Sequence, residues 1–150
     1  THWRVEQEAT KEGFMLFTKA SEYALMAIIA ISKQNGAADA VTLSSDLKLS
    51  YSFLAKVLQS LAKAGILVSR KGAGGGFALA KAAQEITIEE LLRAVDDRCA
   101  MVFTCSAALC NCPSGEAKSS LCLIWPFLNR LQSKIDDMLA ATSIADLTRE

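Results

Sequence analysis

The stretch Ile66–Ala80, ILVSRKGAGGGFALA, limits the possible folds of this chain more than any other. Four of the eleven residues from Arg70 to Ala80 are glycine, and two cations precede them. Glycine runs often cradle phosphate. Such a loop follows a strand, opens a helix and carries Gly-Lys-Ser/Thr or spaced glycines. Here β-prone residues stand on both sides, Ile66–Arg70 before and Phe77–Ala80 after. The run therefore reads as the tight turn of a two-stranded hairpin and not as a nucleotide loop.

The segments ahead of the hairpin read as helices. Thr18 to Lys33 carries Tyr23, Ala24, Ala27, Ile28 and Ile31 at helical spacing, with Thr18 or Ser21 as cap and Asn35-Gly36 as stop. Thr42 to Leu47 is a short second helix, with Thr42 as its expected cap, and Lys48–Ser50 is a turn. A third helix opens at Ser50 or Ser52 and runs to about Ala64, with Leu54, Val57, Leu58 and Leu61 on its inner face. Gly65 stands where a left-handed helix end belongs. After the hairpin, Thr87 caps a helix running to about Val95. Cys99–Leu121 lacks periodicity and reads as a loop, and Leu123 to Ala140 is a long amphipathic helix. Its apolar stripe is Ile124, Leu128, Leu131, Ile135, Met138 and Leu139.

Helix, short helix, turn, helix and hairpin is the order of a winged helix-turn-helix. The expected fold class is mainly α with a small β wing, followed by a long C-terminal helix. Residues 1–14 read as an extension ahead of a start at Met15, 15–97 as the winged domain, 98–122 as a cysteine-rich loop, and 123–150 as helix and tail. With 51% apolar residues the chain can bury a substantial core, and no run reaches transmembrane length. No secretory signal is expected, and the expected location is the cytoplasm. Residues 15–81 hold eight Lys/Arg against three Asp/Glu, while residues 82–150 hold six against ten. A basic first half suits a polyanion, because cations that neutralise phosphates release counterions. A merely solvated basic face is the plainer alternative. Arg70 and Lys71 at the base of the wing, with Gly74 at its tip, would meet a DNA backbone or enter a minor groove.

All five cysteines lie between Cys99 and Cys122. A secreted disulfide scaffold would spread them to staple distant segments. A local cluster instead favours a metal or redox site in a reducing compartment. A zinc site is less well supported, since the spacing C-x4-C-x-C-x9-C lacks paired C-x2-C knuckles. A thiol or persulfide switch is the stronger rival. Enzyme chemistry is the weakest reading, because the sequence holds no well-placed Ser/His/Asp set and its one histidine is His2.

With these features in view, the chain resembles the winged-helix bacterial regulators that include IscR, NsrR and CymR. The resemblance rests on LFTKASEYALMAI (16–28), LSYSFLAKVLQSLAKAGILVSRKGAGGGFALAK (49–81), EITIEELLRAVD (85–96), and Cys122 followed by a helix ending in TSIADL (142–147). It implies a repressor that binds a palindromic operator in double-stranded DNA as a homodimer, the long C-terminal helix of each chain crossing its partner. Ser50–Lys56 then begins a recognition helix in the major groove, with Tyr51, Ser52 and Lys56 able to reach phosphates or bases. IscR-like members carry a glutamate where this chain has Ala55, so its operator preference stays open. Lys71 stands where relatives often have arginine, keeping the charge but losing the flat fork.

The resemblance also implies an iron–sulfur cluster, 2Fe–2S or 4Fe–4S, held by thiolates that neutralise ferric charge. Cys122 matches the last family ligand, 25 residues ahead of Leu147. MVFTC points to Cys105 as the first, and a rival alignment points to Cys99. Cys110 and Cys112 are alternatives for the next ligand, and together with the others they offer an all-cysteine site. IscR-like members use a histidine where this chain has Trp125, which cannot ligate. NsrR-like members use an aspartate of the partner subunit, and the matching residue is Glu22. A cluster-free regulator that docks a protein partner, as in CymR-like members, is the alternative.

Overall fold

The computed structural model describes residues 17–34, 36–96 and 125–149. Helix α1 (Lys19–Lys33) starts where expected. Thr18 is extended, and its hydroxyl accepts the Ser21 amide at 3.2 Å, satisfying a donor that the first turn leaves free. Tyr23, Ala24, Ala27, Ile28 and Ile31 form its buried face.

Helix α2 (Ala40–Leu47) starts two residues earlier than Thr42, and its cap is Asp39. The Asp39 carboxylate accepts the Thr42 amide at 2.8 Å and the Thr42 hydroxyl at 2.7 Å. A carboxylate also suits the positive end of the helix, so Thr42 serves as the donor and not as the cap. The helix stops at Lys48, which adopts the left-handed conformation at φ 55°. Helix α3 (Tyr51–Lys63) follows, burying Leu54, Val57, Leu58 and Leu61. Gly65 ends this region at φ 81°, as the sequence predicts.

Strands β1 (Leu67–Arg70) and β2 (Gly76–Leu79) pair antiparallel, with Leu67 opposite Leu79 and Arg70 opposite Gly76. A third extended residue joins them. Ala38 donates its amide to Phe77 at 2.9 Å and accepts the Phe77 amide at 2.8 Å. The wing is thereby tied to the residue just ahead of the Asp39 cap.

A 3₁₀ turn (Ala83–Glu85) leads to α4 (Ile88–Val95), where the Thr87 hydroxyl accepts the Glu90 amide at 3.1 Å. Among the described residues the long helix α5 runs Trp125–Ala141. The chain then breaks and forms a short helix α6 (Ile144–Thr148), which the sequence reading did not separate from the long one. Ser143 and Asp146 make reciprocal capping bonds at its start, at 3.3 and 2.9 Å. Thr87 and Ser143 form an antiparallel bridge, in which Ile88 donates to Thr142 and Ile144 donates to Ile86. Ile144 is fully buried, and α6 packs on α1 and on the 3₁₀ turn.

The described residues divide between two units, 17–96 with 138–149 in one and 125–137 in the other. The core of the first joins Ile28 and Ile31 of α1, Leu54, Leu58 and Leu61 of α3, Leu91 of α4 and Ile144 of α6. Each such burial contributes about 1.5–3 kcal/mol relative to an exposed side chain. In this unit Met138 is 69% exposed, whereas Leu139 beside it is buried. Among the described residues, no helix is long and apolar enough to cross a membrane.

Candidate nucleic-acid interface

The amphipathic pattern of α3 determines what it presents. Its apolar residues at 54, 57, 58 and 61 turn inward, which leaves Tyr51, Ser52 and Lys56 exposed at the N-terminal end. Tyr51 is 53% exposed. The first turn has no side-chain cap; Ser50 and Ser52 instead place their hydroxyls 3.4 Å apart. A helix N-terminus with exposed hydroxyls favours anionic groups.

The wing presents Arg70 and Lys71, both exposed. Its turn is closed by the Gly75 amide donating to Gly72 at 3.0 Å. Gly72 and Gly74 have φ of 93° and 73°, a conformation that side chains disfavour. Gly74 lies at the tip with open space around it. Gly76 is different. A Cβ there would stand 2.4 Å from the Ala38 carbonyl oxygen, so glycine lets the wing close onto Ala38. The ion pairs among the described residues are Lys81–Glu90 at 2.5 Å and Arg93–Glu89 at 2.6 Å. Lys56, Arg70 and Lys71 enter neither, so their charges are available to an external anion.

Hydrogen bonds from the Thr42 hydroxyl and then from its amide hold the Asp39 carboxyl below the ordinary aspartate range. A depressed folded pKa means that Asp39 stabilises the fold above the ordinary aspartate range. That stability is lost as pH falls through the folded value. Asp39→Ala is therefore expected to lower the melting temperature at pH 7, with the difference from wild type shrinking in thermal scans below pH 4.

The expected metal ligands are less completely placed. Glu22 is exposed in the first turn of α1 and makes no hydrogen bond through its carboxylate to another described residue. Cys99, Cys105, Cys110, Cys112 and Cys122 lie outside the described residues. Among the described residues no group of three or more His, Cys, Asp or Glu is gathered to hold a metal. Ala38 carries no signal for its pairing, and Asp39 was legible only as an aspartate three residues ahead of Thr42.

The family model described as "Rrf2: Iron-dependent Transcriptional regulator" matches residues 17–150. The HTH-type transcriptional regulator IscR of Photorhabdus laumondii is 29% identical over 135 residues, covering 89% of this chain and 79% of that protein. Among solved structures, the chain is similar to CymR, the global cysteine regulator of B. subtilis. The TM-score is 0.71 at 20% identity, over 89% of this chain and 95% of that one. It is also similar to T. potens IscR, with TM-score 0.65 and 19% identity over 88% and 85% of the two chains. These likenesses bear out the expected winged-helix fold and a regulatory rather than enzymatic role.

Proposed function

The chain belongs to the Rrf2 family of transcriptional regulators, and on that premise we propose that it is a cytoplasmic repressor that binds a palindromic promoter site as a homodimer. The observation that carries this reading is the pairing of an exposed α3 start that has no side-chain cap with a wing whose cations enter no ion pair among the described residues. Tyr51, Ser52 and Lys56 would read or grip the major groove. Arg70 and Lys71 would neutralise phosphates beside it, with Gly74 letting the wing tip approach closely.

The finer proposal is that operator affinity responds to an iron–sulfur cluster, one per subunit. The donor chemistry fits, since five thiols lie within 24 residues and thiolates suit ferric iron. Cys105, Cys110, Cys112 and Cys122 are the proposed thiolate ligands. Glu22 of the partner subunit is the proposed carboxylate, supported by its exposure and lack of another engagement. A cluster supplies a charge and ligand geometry that change on oxidation, nitrosylation or loss. Through Glu22, that change would bear on α1 and shift the spacing of the two α3 helices. The same concentration of cysteines also supports a second reading, a cluster-free thiol or persulfide switch that docks a protein partner.

The test is anaerobic purification followed by visible absorption and iron and sulfide assays. The cluster reading expects a brown protein with stoichiometric iron and sulfide, and Glu22→Ala protein that loses iron faster. A protein that stays colourless after anaerobic reconstitution would transfer the role to the thiols. Unchanged iron retention and DNA affinity in Glu22→Ala would remove Glu22 from the ligand set.

A further inference from the structure

Four groups converge where α1 meets the start of α3. The Tyr23 hydroxyl accepts the amide of Ser50, the cap residue of α3, at 3.4 Å. The Tyr23 ring packs edge-to-face on Phe53 of the first α3 turn, with centroids 4.9 Å apart and planes at 85°. The Lys19 ammonium stands 5.7 Å from the Tyr23 ring centre and 5.6 Å from that of Phe53, within cation–π range of both. Tyr23 is 9% exposed, so its hydroxyl does this work close to the core.

The arrangement is selective. The first α3 turn holds Tyr51 and Ser52, and it has no side-chain cap of its own. The backbone amide at its start is engaged from another helix. A hydrogen bond and an edge-to-face ring contact together constrain both the height of that turn and its rotation about the helix axis. Direct base reading tolerates little error in either, because hydrogen bonds weaken steeply with misalignment. Phosphate attraction tolerates more, since it depends on charge and weakly on angle.

We propose that Tyr23 is a positioning residue for base reading: with Lys19 and Phe53 it aims the first turn of α3, and so sets sequence preference more than overall DNA affinity. This rests on the DNA-binding reading above. Tyr23 also follows Glu22 directly in α1, so a pull on that turn would reach the aim of α3 through one residue.

The experiment compares wild type, Tyr23→Phe and Lys19→Met as full chains. Each is titrated with a duplex selected by the wild type from a random pool, and with a scrambled duplex, across a salt series. Tyr23→Phe keeps the ring and removes only the hydroxyl. Its ratio of selected to scrambled affinity is expected to fall about three- to tenfold, the range of one net hydrogen bond. Scrambled-duplex affinity and salt slope are expected to stay at wild-type values, because no phosphate-facing charge changes. The loss should concentrate at the base pairs that Tyr51→Ala or Ser52→Ala also relaxes. Lys19 is exposed, so Lys19→Met tests the same cluster with little risk to folding and is expected to show a smaller drop in the ratio. An unchanged ratio in both variants overturns the proposal, as does an equal loss on both duplexes, which is the mark of general destabilisation. A wild type that prefers no duplex overturns the DNA-binding reading itself.

Discussion

Gly76→Ala is expected to be the most damaging single-atom addition in the wing. The new Cβ would stand 2.4 Å from the Ala38 oxygen, 2.5 Å from the Ala38 carbonyl carbon and 2.7 Å from the Asp39 nitrogen, all backbone atoms with no rotamer to escape into. The residue also sits at φ 136°, which an L side chain rarely adopts. Strain at such a position costs about 1–3 kcal/mol before any clash is counted. The sum is expected to reach about 3 kcal/mol or more, a large part of a small domain's stability. The clash also pushes apart the Ala38–Phe77 pairing and disturbs the Asp39 cap beside it. Thermal unfolding should show a clearly lowered midpoint, with DNA binding weakened even at temperatures where the protein is folded. Gly74→Ala is the matched control. It has positive φ but nothing within 4 Å, so it is expected to cost only about 1 kcal/mol.

Charge reversal at the wing is expected to have the largest effect on DNA binding. Arg70→Glu with Lys71→Glu replaces two unengaged cations by anions beside the proposed backbone contact. Each lost phosphate contact lowers the slope of log affinity against log salt by roughly 0.9. The double variant should therefore show a slope shallower by about 2 for each chain engaged. Affinity near 0.1 M salt is expected to fall on the order of 100-fold. Because both side chains are exposed and neither enters an ion pair among the described residues, the melting temperature should hardly move. Affinity loss with preserved stability and a reduced salt slope separates a phosphate contact from a folding defect. Unchanged affinity would assign the wing to solvent or to a protein partner.

The parts of the fold that were legible in the sequence are those determined by local chemistry. Helical spacing at 54, 57, 58 and 61 identified the buried face of α3, while Tyr51, Ser52 and Lys56 came from the family resemblance and are exposed in the structure. Glycines flanked by β-prone residues identified the wing, and Gly65 the end of α3. What was missed depends on contacts distant in sequence. Asp39 outcompetes Thr42 as cap because its carboxylate can accept two bonds from Thr42 at once. Ala38 becomes a strand residue only because the wing folds back on it. The helix α6 is five residues long, too short to show a period, and its burial comes from packing on α1 and the 3₁₀ turn. The Ser143-x-x-Asp146 spacing was the signal that could have revealed it. At the interface, Tyr23 reads from sequence as an ordinary core aromatic. Only the fold brings its hydroxyl to Ser50, 27 residues away. The cysteine ligands remain expectations of spacing and family resemblance, since they lie outside the described residues.

On the proposed function, α3 and the wing together form a sequence-reading DNA interface. It is tested most directly by selecting duplexes from a random pool with the anaerobically purified full chain, then measuring affinity for the enriched sequence against salt. The expected result is a palindromic site with half-sites about one or two helical turns apart. Affinity is expected to fall steeply with salt, with a slope made shallower by Arg70→Glu with Lys71→Glu. Enrichment of no sequence, or binding indifferent to both salt and the wing variant, would contradict it.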